Sequence, residues 1–188
     1  MKRPISAVRA ALALFVLAFL AASPASALKV RSFSTAELVA ESALIVRGRV
    51  KSSTPTWQGD RIVTDALVDV TESLHGRLEG GAVTVRQLGG RVGDTTLTVP
   101  GVRTLRPGDH VLLFLRTDGR FHYLIGFSQG SVFLESDASG ALRVRRELSG
   151  MELVKRKPVG PARPAPAAPE LYEALRTQIL ALAAEKTP

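Results

Sequence analysis

Apolar and polar residues alternate along most of the chain between residues 43 and 147, and glycine- or proline-containing turns separate the alternating stretches. A period of two is typical of β-strands that bury one face. The pattern predicts eight short strands, at residues 43–51, 61–71, 82–87, 95–99, 109–116, 120–126, 131–135 and 141–147. Because helices do not alternate with these strands, we expect a mainly β domain, either an antiparallel barrel or a β-sandwich.

Three stretches refine this prediction. Residues 52–60 are polar and include Pro55 and Gly59, which predicts a loop between the first two strands. The closely spaced Gly89, Gly90 and Gly93 predict a turn or bulge. Residues 109–116 are apolar without alternation, so we expect that strand to be buried on both faces.

Helical patterns occur only at the two ends of the mature chain. Ser34 and Glu37 have the spacing of a capping box, which predicts a short helix over residues 34–42. Residues 170–188 predict an amphipathic C-terminal helix that docks on the barrel or on a partner, such as a second copy of the chain. Its expected apolar stripe is Leu171, Leu175, Ile179 and Leu182.

The first 27 residues have the layout of a secretory signal peptide. A basic start is followed by an apolar run at 10–22 and by small residues at 25–27. We therefore expect cleavage after Ala27, no membrane insertion afterwards, and a periplasmic or extracellular product. The expected organisation is a signal peptide at 1–27, a β-domain at 28–157, a proline- and alanine-rich linker at 158–169 and the helix at 170–188.

Charge favours anionic partners. The chain carries a formal charge of +8, and removal of Lys2, Arg3 and Arg9 leaves +5. There is no cysteine, so neither a disulfide nor a lipid-attached cysteine is available. Aromatic residues make up 5% of the sequence, which leaves few rings for stacking bases, and export also argues against nucleic acid as a partner.

A basic strand face is the candidate binding site. Alternation places Arg47, Arg49 and Lys51 on one face, where Arg86 can join them from another strand. Arg143 and Arg145 are further members. Such a face predicts binding of a polyanion, and the expected partner is a protein or an anionic envelope polymer.

Catalytic and metal-binding patterns are incomplete. Ser128 lies in a G-x-S-x-G stretch at 126–130, but a strand pattern follows it and no histidine occurs after His122. His75, His110 and His122 lack the close spacing of zinc ligands, although the last two lie on consecutive predicted strands.

Two weaker patterns complete the search. The glycine-rich stretch at 89–94 could hold an anion but lacks the features of a phosphate-binding loop. Asp65 and Asp69 share a strand face with Arg61, and salt pairing explains that arrangement more simply than glycoside hydrolysis. We therefore expect no catalytic residue, metal or cofactor.

Four segments together resemble a known family. They are SALIVRGRV at 42–50, VDVTESLHG at 68–76, VTV at 83–85 and LRPGDHVLLF at 105–114. Their order is similar to that of netrin-like domains, the barrels of tissue inhibitors of metalloproteinases, and to exported bacterial proteins of this general pattern. The resemblance covers roughly residues 34–116 and implies an OB-like barrel with added strands. Those inhibitors chelate the protease metal through an N-terminal cysteine, which this chain lacks, so no inhibitory residue carries over.

The sequence thus favours an exported, non-enzymatic binding or scaffold protein of the bacterial envelope. A protease inhibitor or protease-associated factor is one alternative, suggested by the resemblance alone. An envelope hydrolase that uses carboxylates or Ser128 is the other.

Overall fold

The computed structural model describes residues 28–148, 150–154 and 171–186. The expected signal peptide and the expected linker lie outside them. The two helices are α1 (Thr35–Glu41) and α2 (Tyr172–Lys186). The strands are β1 (Leu28–Arg31), β2 (Leu44–Gln58), β3 (Arg61–His75), β4 (Ala82–Leu88), β5 (Gly90–Val92), β6 (Thr95–Leu97), β7 (His110–Thr117), β8 (His122–Leu124), β9 (Ser131–Ser136), β10 (Leu142–Arg145) and β11 (Met151–Val154).

Five strands form a partly closed ring. The main sheet has the order β10-β9-β7-β2-β3-β4-β8, and β7 also pairs with β8. The contact between β4 and β8 is parallel and is limited to Val85 and His122, whereas β8 pairs with β7 over three residues of each strand. The fold is therefore mainly β, as predicted, and of the two predicted architectures the partly closed ring is a barrel rather than a sandwich.

The first hairpin is longer than predicted. Residues 52–58, expected to form a loop, continue β2 and pair with β3 up to the register Gln58–Arg61. The strand tolerates Pro55 because β7 pairs with β2 only over Leu44–Arg49. At Pro55 the edge of β2 that faces away from β3 has no β7 partner, so the missing N–H of the proline costs no hydrogen bond to β7. The loop prediction was wrong because one proline and one glycine outweighed the β-branched threonines of this stretch.

Two short pairings were also missed. Within the glycine-rich stretch predicted as a turn or bulge, Gly90–Val92 is a strand that pairs with β6, and residues 93–94 form the turn between them. β1 and β11 form a separate parallel pair, which brings the start of the described chain against residues 151–154. Gly90–Val92 lies among the glycines that predicted a turn, and Leu28–Arg31 and Met151–Val154 are four-residue strands outside the alternating region, so no clear period of two marked them.

The central strand β7 separates two cores. Val111, Leu113 and Leu115 face the interior of the ring, and Leu112 and Phe114 face the layer beneath the helices. All five side chains are fully buried, so the prediction that this strand is covered on both faces is confirmed.

Helix α1 begins as the sequence predicts. The Ser34 side chain accepts a hydrogen bond from the Glu37 N–H, and the Glu37 carboxylate accepts one from the Ser34 N–H. Hydrogen bonds to the Glu37 carboxylate from the Ser34 N–H, the largest cause, and from Arg31 and the Ser34 hydroxyl lower its pKa to about 2. The capping box is therefore present.

Helix α2 docks on its own barrel. Its fully buried side chains include Tyr172, Leu175 and Ile179, whereas Leu171, expected in the stripe, is 41% exposed. The predicted stripe was wrong at its start, because Leu171 precedes the helix and pairs with Arg143 in an isolated β-bridge, while Tyr172 takes the inward position. The Tyr172 hydroxyl donates to Glu72 at 2.7 Å, which fixes the helix face that turns inward.

Charged contacts hold both ends of this helix. Arg176 and Tyr172 both donate to Glu72. Partial burial raises the pKa of that carboxyl, but the two hydrogen bonds and the charges of Arg176 and Arg47 together outweigh burial and lower the pKa. At the other end, the Lys186 ammonium donates to the carbonyl of Ser42, 2.8 Å away, just after α1. Neither described helix has the length and apolar character of a membrane span.

Candidate ligand-binding groove

The basic face predicted from the sequence is interleaved with acids. Arg47 lies 3.4 Å from Glu72, and Lys51 lies 3.7 Å from Asp69. Arg49 is exposed and opposite Asp69 in the strand register. Because β3 supplies carboxylates beside the basic residues of β2, this part of the sheet is a mixed-charge surface rather than a bare cationic stripe.

Arg86 lies on the far side of β3 from the other three. Both of its bonds go to Asp65, at 2.7 and 2.6 Å, and its guanidinium stacks 3.5 Å above the ring centre of Phe121. The hydrogen bond to Asp65 raises the pKa of Arg86. Asp65 and Asp69 are four residues apart on β3, about 13 Å, so Arg86 is not adjacent to Arg49 or Lys51.

The two further arginines of the prediction lie on β10, beyond β9. Arg143 bonds Asp137 at 3.0 Å, and Arg145 bonds Glu135 at 2.6 Å as well as Glu147. Arg145 nevertheless lines a cavity of about 270 Å³ together with Arg49 of β2, and the carboxylates of Asp109 and Glu135 line the same cavity. The structure therefore brings one arginine of β10 near one arginine of β2, in a mixed-charge setting.

Ser128 has a positioning role. The residue is 2% exposed, within a 3₁₀ turn at Phe127–Gly130 that joins β8 to β9. Its hydroxyl oxygen accepts the N–H of Arg103 at 2.8 Å. A buried, hydrogen-bonded hydroxyl between two strands differs from the exposed nucleophile of a hydrolase elbow.

The histidines are dispersed. His110 and His122 lie on consecutive strands, but His122 pairs with Thr117, seven residues along β7 from His110, or about 23 Å. Partial burial, and then the charges of Arg49 and Arg47, lower the pKa of His110. Within the described ranges there is no group of three or more histidine, aspartate or glutamate residues that could hold a metal.

A groove with a different set of arginines lies at the end of β4. It has two compartments, which share Leu88 and Val102 as walls and have volumes of about 170 and 370 Å³. We call it the arginine groove. The smaller compartment is lined by Arg86, Gln87, Leu88, Val102, Arg116, Tyr123, Leu124 and Phe127, and the larger by Leu88, Gly89, Gly90, Arg91, Thr96, Leu97, Thr98, Val99, Val102, Thr104 and Arg106.

Buried polar side chains position the wall of this groove. The Gln87 amide donates to the carbonyl of Arg103 at 2.9 Å and accepts the N–H of Leu105 at 2.8 Å. Together with the bond from Arg103 to Ser128, these contacts fix residues 102–106 between β4 and the 3₁₀ turn. The G-x-S-x-G stretch thus supports the groove from behind.

The opposite wall is fixed by the β7–β8 turn. Asp118 accepts hydrogen bonds from the N–H groups of Phe121 and Arg120 and from the Tyr123 hydroxyl. The two backbone bonds are the largest causes that lower the pKa of Asp118 to about 2. The ordered turn holds the Tyr123 ring beneath Arg116, whose guanidinium lies 4.9 Å from the ring centre.

Charge in the groove is one-sided. Four arginines line it, and its lining contains no aspartate or glutamate. Arg86 is neutralised by Asp65, but none of the salt bridges among the described residues involves Arg91, Arg106 or Arg116. The groove is therefore a cationic surface with an apolar floor.

The groove also carries exposed apolar groups at its edge. Leu88 is 37% exposed and Phe127 is 42% exposed. Phe127 has a φ of 59°, and among the described residues it is the only one other than glycine with a positive φ. Such a backbone costs of order 1–3 kcal/mol for a residue with a side chain, and such strain clusters at functional sites.

Sequence reasoning found only part of this groove. Arg86 was in the predicted basic face, and the glycine-rich stretch at 89–94, also considered for anions, lines the larger compartment. Arg106 and Arg116 were not selected: Arg106 was considered only as part of the turn segment at 105–114, and Arg116 only as the end of a buried strand.

Comparison with known proteins gives no relative for this fold or groove. No family model, no curated protein and no solved structure matches the chain.

Proposed function

We propose that this protein is an exported, non-enzymatic binding protein of the bacterial envelope, and that its arginine groove holds an anionic ligand with an apolar part. Export is supported by the signal-peptide pattern of residues 1–27. The observation that carries the binding proposal is the pairing of uncompensated guanidinium groups with an apolar floor in one concave site. Ligand sites commonly combine an apolar lining with a few placed polar groups.

The electrostatics of the groove favour an anion over a neutral ligand. Arg91, Arg106 and Arg116 line the groove without a salt bridge, so a bound anion would gain charge-assisted hydrogen bonds without breaking existing ion pairs. The basic face around Arg47 and Lys51 favours anion binding less, because an anion there would compete with Glu72 and Asp69 for the same cations.

The arrangement of side chains at this site also favours ligand binding over hydrolysis. Ser128 lies behind the groove wall with its hydroxyl already engaged by Arg103, and both oxygens of Asp65 accept bonds from Arg86. A Ser128→Ala variant is therefore expected to lose stability rather than an activity.

The test is a binding titration with the mature chain, residues 28–188, and anilinonaphthalene sulfonate, an aromatic anion whose fluorescence rises in apolar sites. The uncharged N-phenylnaphthylamine serves as the neutral probe. We expect saturable binding of the anion that weakens with salt and weaker binding of the neutral dye.

Matched variants locate the site. Replacement of Arg91, Arg106 and Arg116 together by glutamine is expected to weaken binding of the anion about tenfold or more. Replacement of Arg49 and Arg77 by glutamine, at exposed positions outside the groove lining, removes two charges where the groove variant removes three, and is expected to change the affinity for the anion little. Equal affinities in the two variants, or no saturable binding by the wild type, would refute the proposal.

A further inference from the structure

The geometry points to a more specific ligand: we infer that the arginine groove takes a single-chain amphiphile, with its anionic headgroup against Arg91 and Arg106 and its hydrocarbon chain passing over Leu88 and Val102 towards Phe127. This inference rests on the proposed function and adds the ligand class and its orientation. A fatty acid and a lysophospholipid share this chemistry.

The larger compartment has the features of a headgroup site. Its two arginines, Arg91 and Arg106, are exposed and are not engaged by a carboxylate of the described chain. Hydroxyl donors stand beside them, on Thr96, Thr98 and Thr104. Guanidinium groups and hydroxyls together suit the oxygens of a carboxylate or a phosphate.

The smaller compartment has the features of a chain site. Its apolar lining continues from Leu88 and Val102 to Leu124 and Phe127. Two arginines also line this compartment. Arg86 already gives two hydrogen bonds to Asp65 and its side chain is 14% exposed, so it is poorly placed to bind a second anion. Arg116 is exposed, and its guanidinium lies over the Tyr123 ring, so its charged end can stay in water beside a hydrocarbon chain. Exposed apolar surface at Leu88 and Phe127 would be removed from water by a hydrocarbon chain.

Other anionic ligands fit less well. An acidic polysaccharide would need hydroxyl partners along its whole length, but the wall shared by the compartments is Leu88 and Val102. An acidic peptide would bury backbone amides against the same apolar residues. A short amphiphile leaves no polar group over this wall.

The decisive experiment is a chain-length series measured by calorimetry with the mature protein below the critical micelle concentration. The probes are octanoate, decanoate, dodecanoate and tetradecanoate, with lysophosphatidate as the phosphate arm and oligogalacturonate and a polyglutamate peptide as hydrophilic anions. Each buried methylene is expected to tighten Kd about fourfold until the chain fills the smaller compartment. The carboxylate and phosphate arms tell which headgroup is preferred.

Variants test the orientation. Arg91→Gln with Arg106→Gln is expected to weaken every member of the series by a similar factor, which leaves the dependence on chain length unchanged. Leu88→Ser, at an exposed position, is expected to flatten that dependence. Arg77→Gln, outside the groove lining, is the control for loss of charge.

The outcomes separate the two proposals. If anilinonaphthalene sulfonate binds the groove but Kd does not depend on chain length, or if a hydrophilic anion binds more tightly than dodecanoate, the amphiphile inference is overturned and the proposed function stands. If no anion binds saturably, both fail. A response to Leu88→Ser that matches the arginine variant would overturn the orientation.

Discussion

Truncation of Ile179 is expected to destabilise the whole barrel and not only helix α2. Ile179 is fully buried in a core cluster with Leu38 and Phe114, which belong to α1 and to the central strand β7. Removal of a buried isoleucine side chain down to alanine costs about 2–5 kcal/mol, as lost burial and as a cavity. With a typical urea dependence of about 2 kcal/mol/M, the unfolding midpoint of Ile179→Ala should fall by about 1–2.5 M.

The next residue along the helix provides the control. Leu180 is 37% exposed, so Leu180→Ala removes a leucine from the same helix without opening a cavity and should change stability by no more than about 0.5 kcal/mol. Both variants are measured by circular dichroism in urea, and their assembly state by light scattering. Equal midpoints for the two would refute docking of α2 on its own barrel. A change in assembly state for Ile179→Ala with an unchanged midpoint would show that the helix packs on a second copy.

Three further predictions concern the backbone, pH and the groove edge. Gly48→Ala should destabilise the protein by about 1–3 kcal/mol because a Cβ there overlaps the carbonyl oxygen of Asp69, whereas Gly81→Ala, which meets open space, should be near neutral in the same urea titration. Hydrogen bonds from the Ser34 N–H and from Arg31 lower the pKa of Glu37 from its ordinary 4.5 to about 2, so the stabilising contribution of these contacts is complete above pH 4.5 and is lost as pH falls towards 2. The stability difference between wild type and Glu37→Gln, measured across that window, should shrink as pH falls, and a constant difference would contradict this assignment. Phe127→Gly should relieve the left-handed strain and keep or raise the thermal midpoint while it weakens binding of anilinonaphthalene sulfonate, and unchanged binding would separate Phe127 from the site.

Periodicity predicted the parts of the fold in which local pattern and long-range packing agree. β3, β4 and β7 were placed correctly over most of their length because alternation or continuous apolar character matched their burial. The second half of β2 was not predicted because Pro55 is a strong signal for a loop. The proline fits in the strand only because β7 does not pair with β2 at that position. No local sequence pattern indicates which neighbouring strand pairs with β2 at Pro55.

The candidate site was harder to predict for the same reason. A basic face on β2 can be recognised from Arg47, Arg49 and Lys51 alone, but the acids that pair with it come from the neighbouring strand through the register of the hairpin. The arginines of the groove become neighbours through the β5–β6 hairpin and the 102–106 segment, which Gln87 and Ser128 hold in place. Charge composition predicts an anionic partner, and topology decides which cations remain available to it.

The G-x-S-x-G stretch shows how a structural motif can still bear on function. Ser128 and Gln129 are buried, and the Gln129 side chain accepts the N–H of Phe33 and donates to the carbonyl of Arg31. These contacts fix the backbone on the C-terminal side of Phe127, and Gly126, with a φ of 60°, fixes it on the other. Glycine at position 127 would adopt the same backbone at lower cost. A phenylalanine that is strained, exposed and placed at the mouth of a cationic groove is therefore better explained by contact with a ligand than by the stability of the turn.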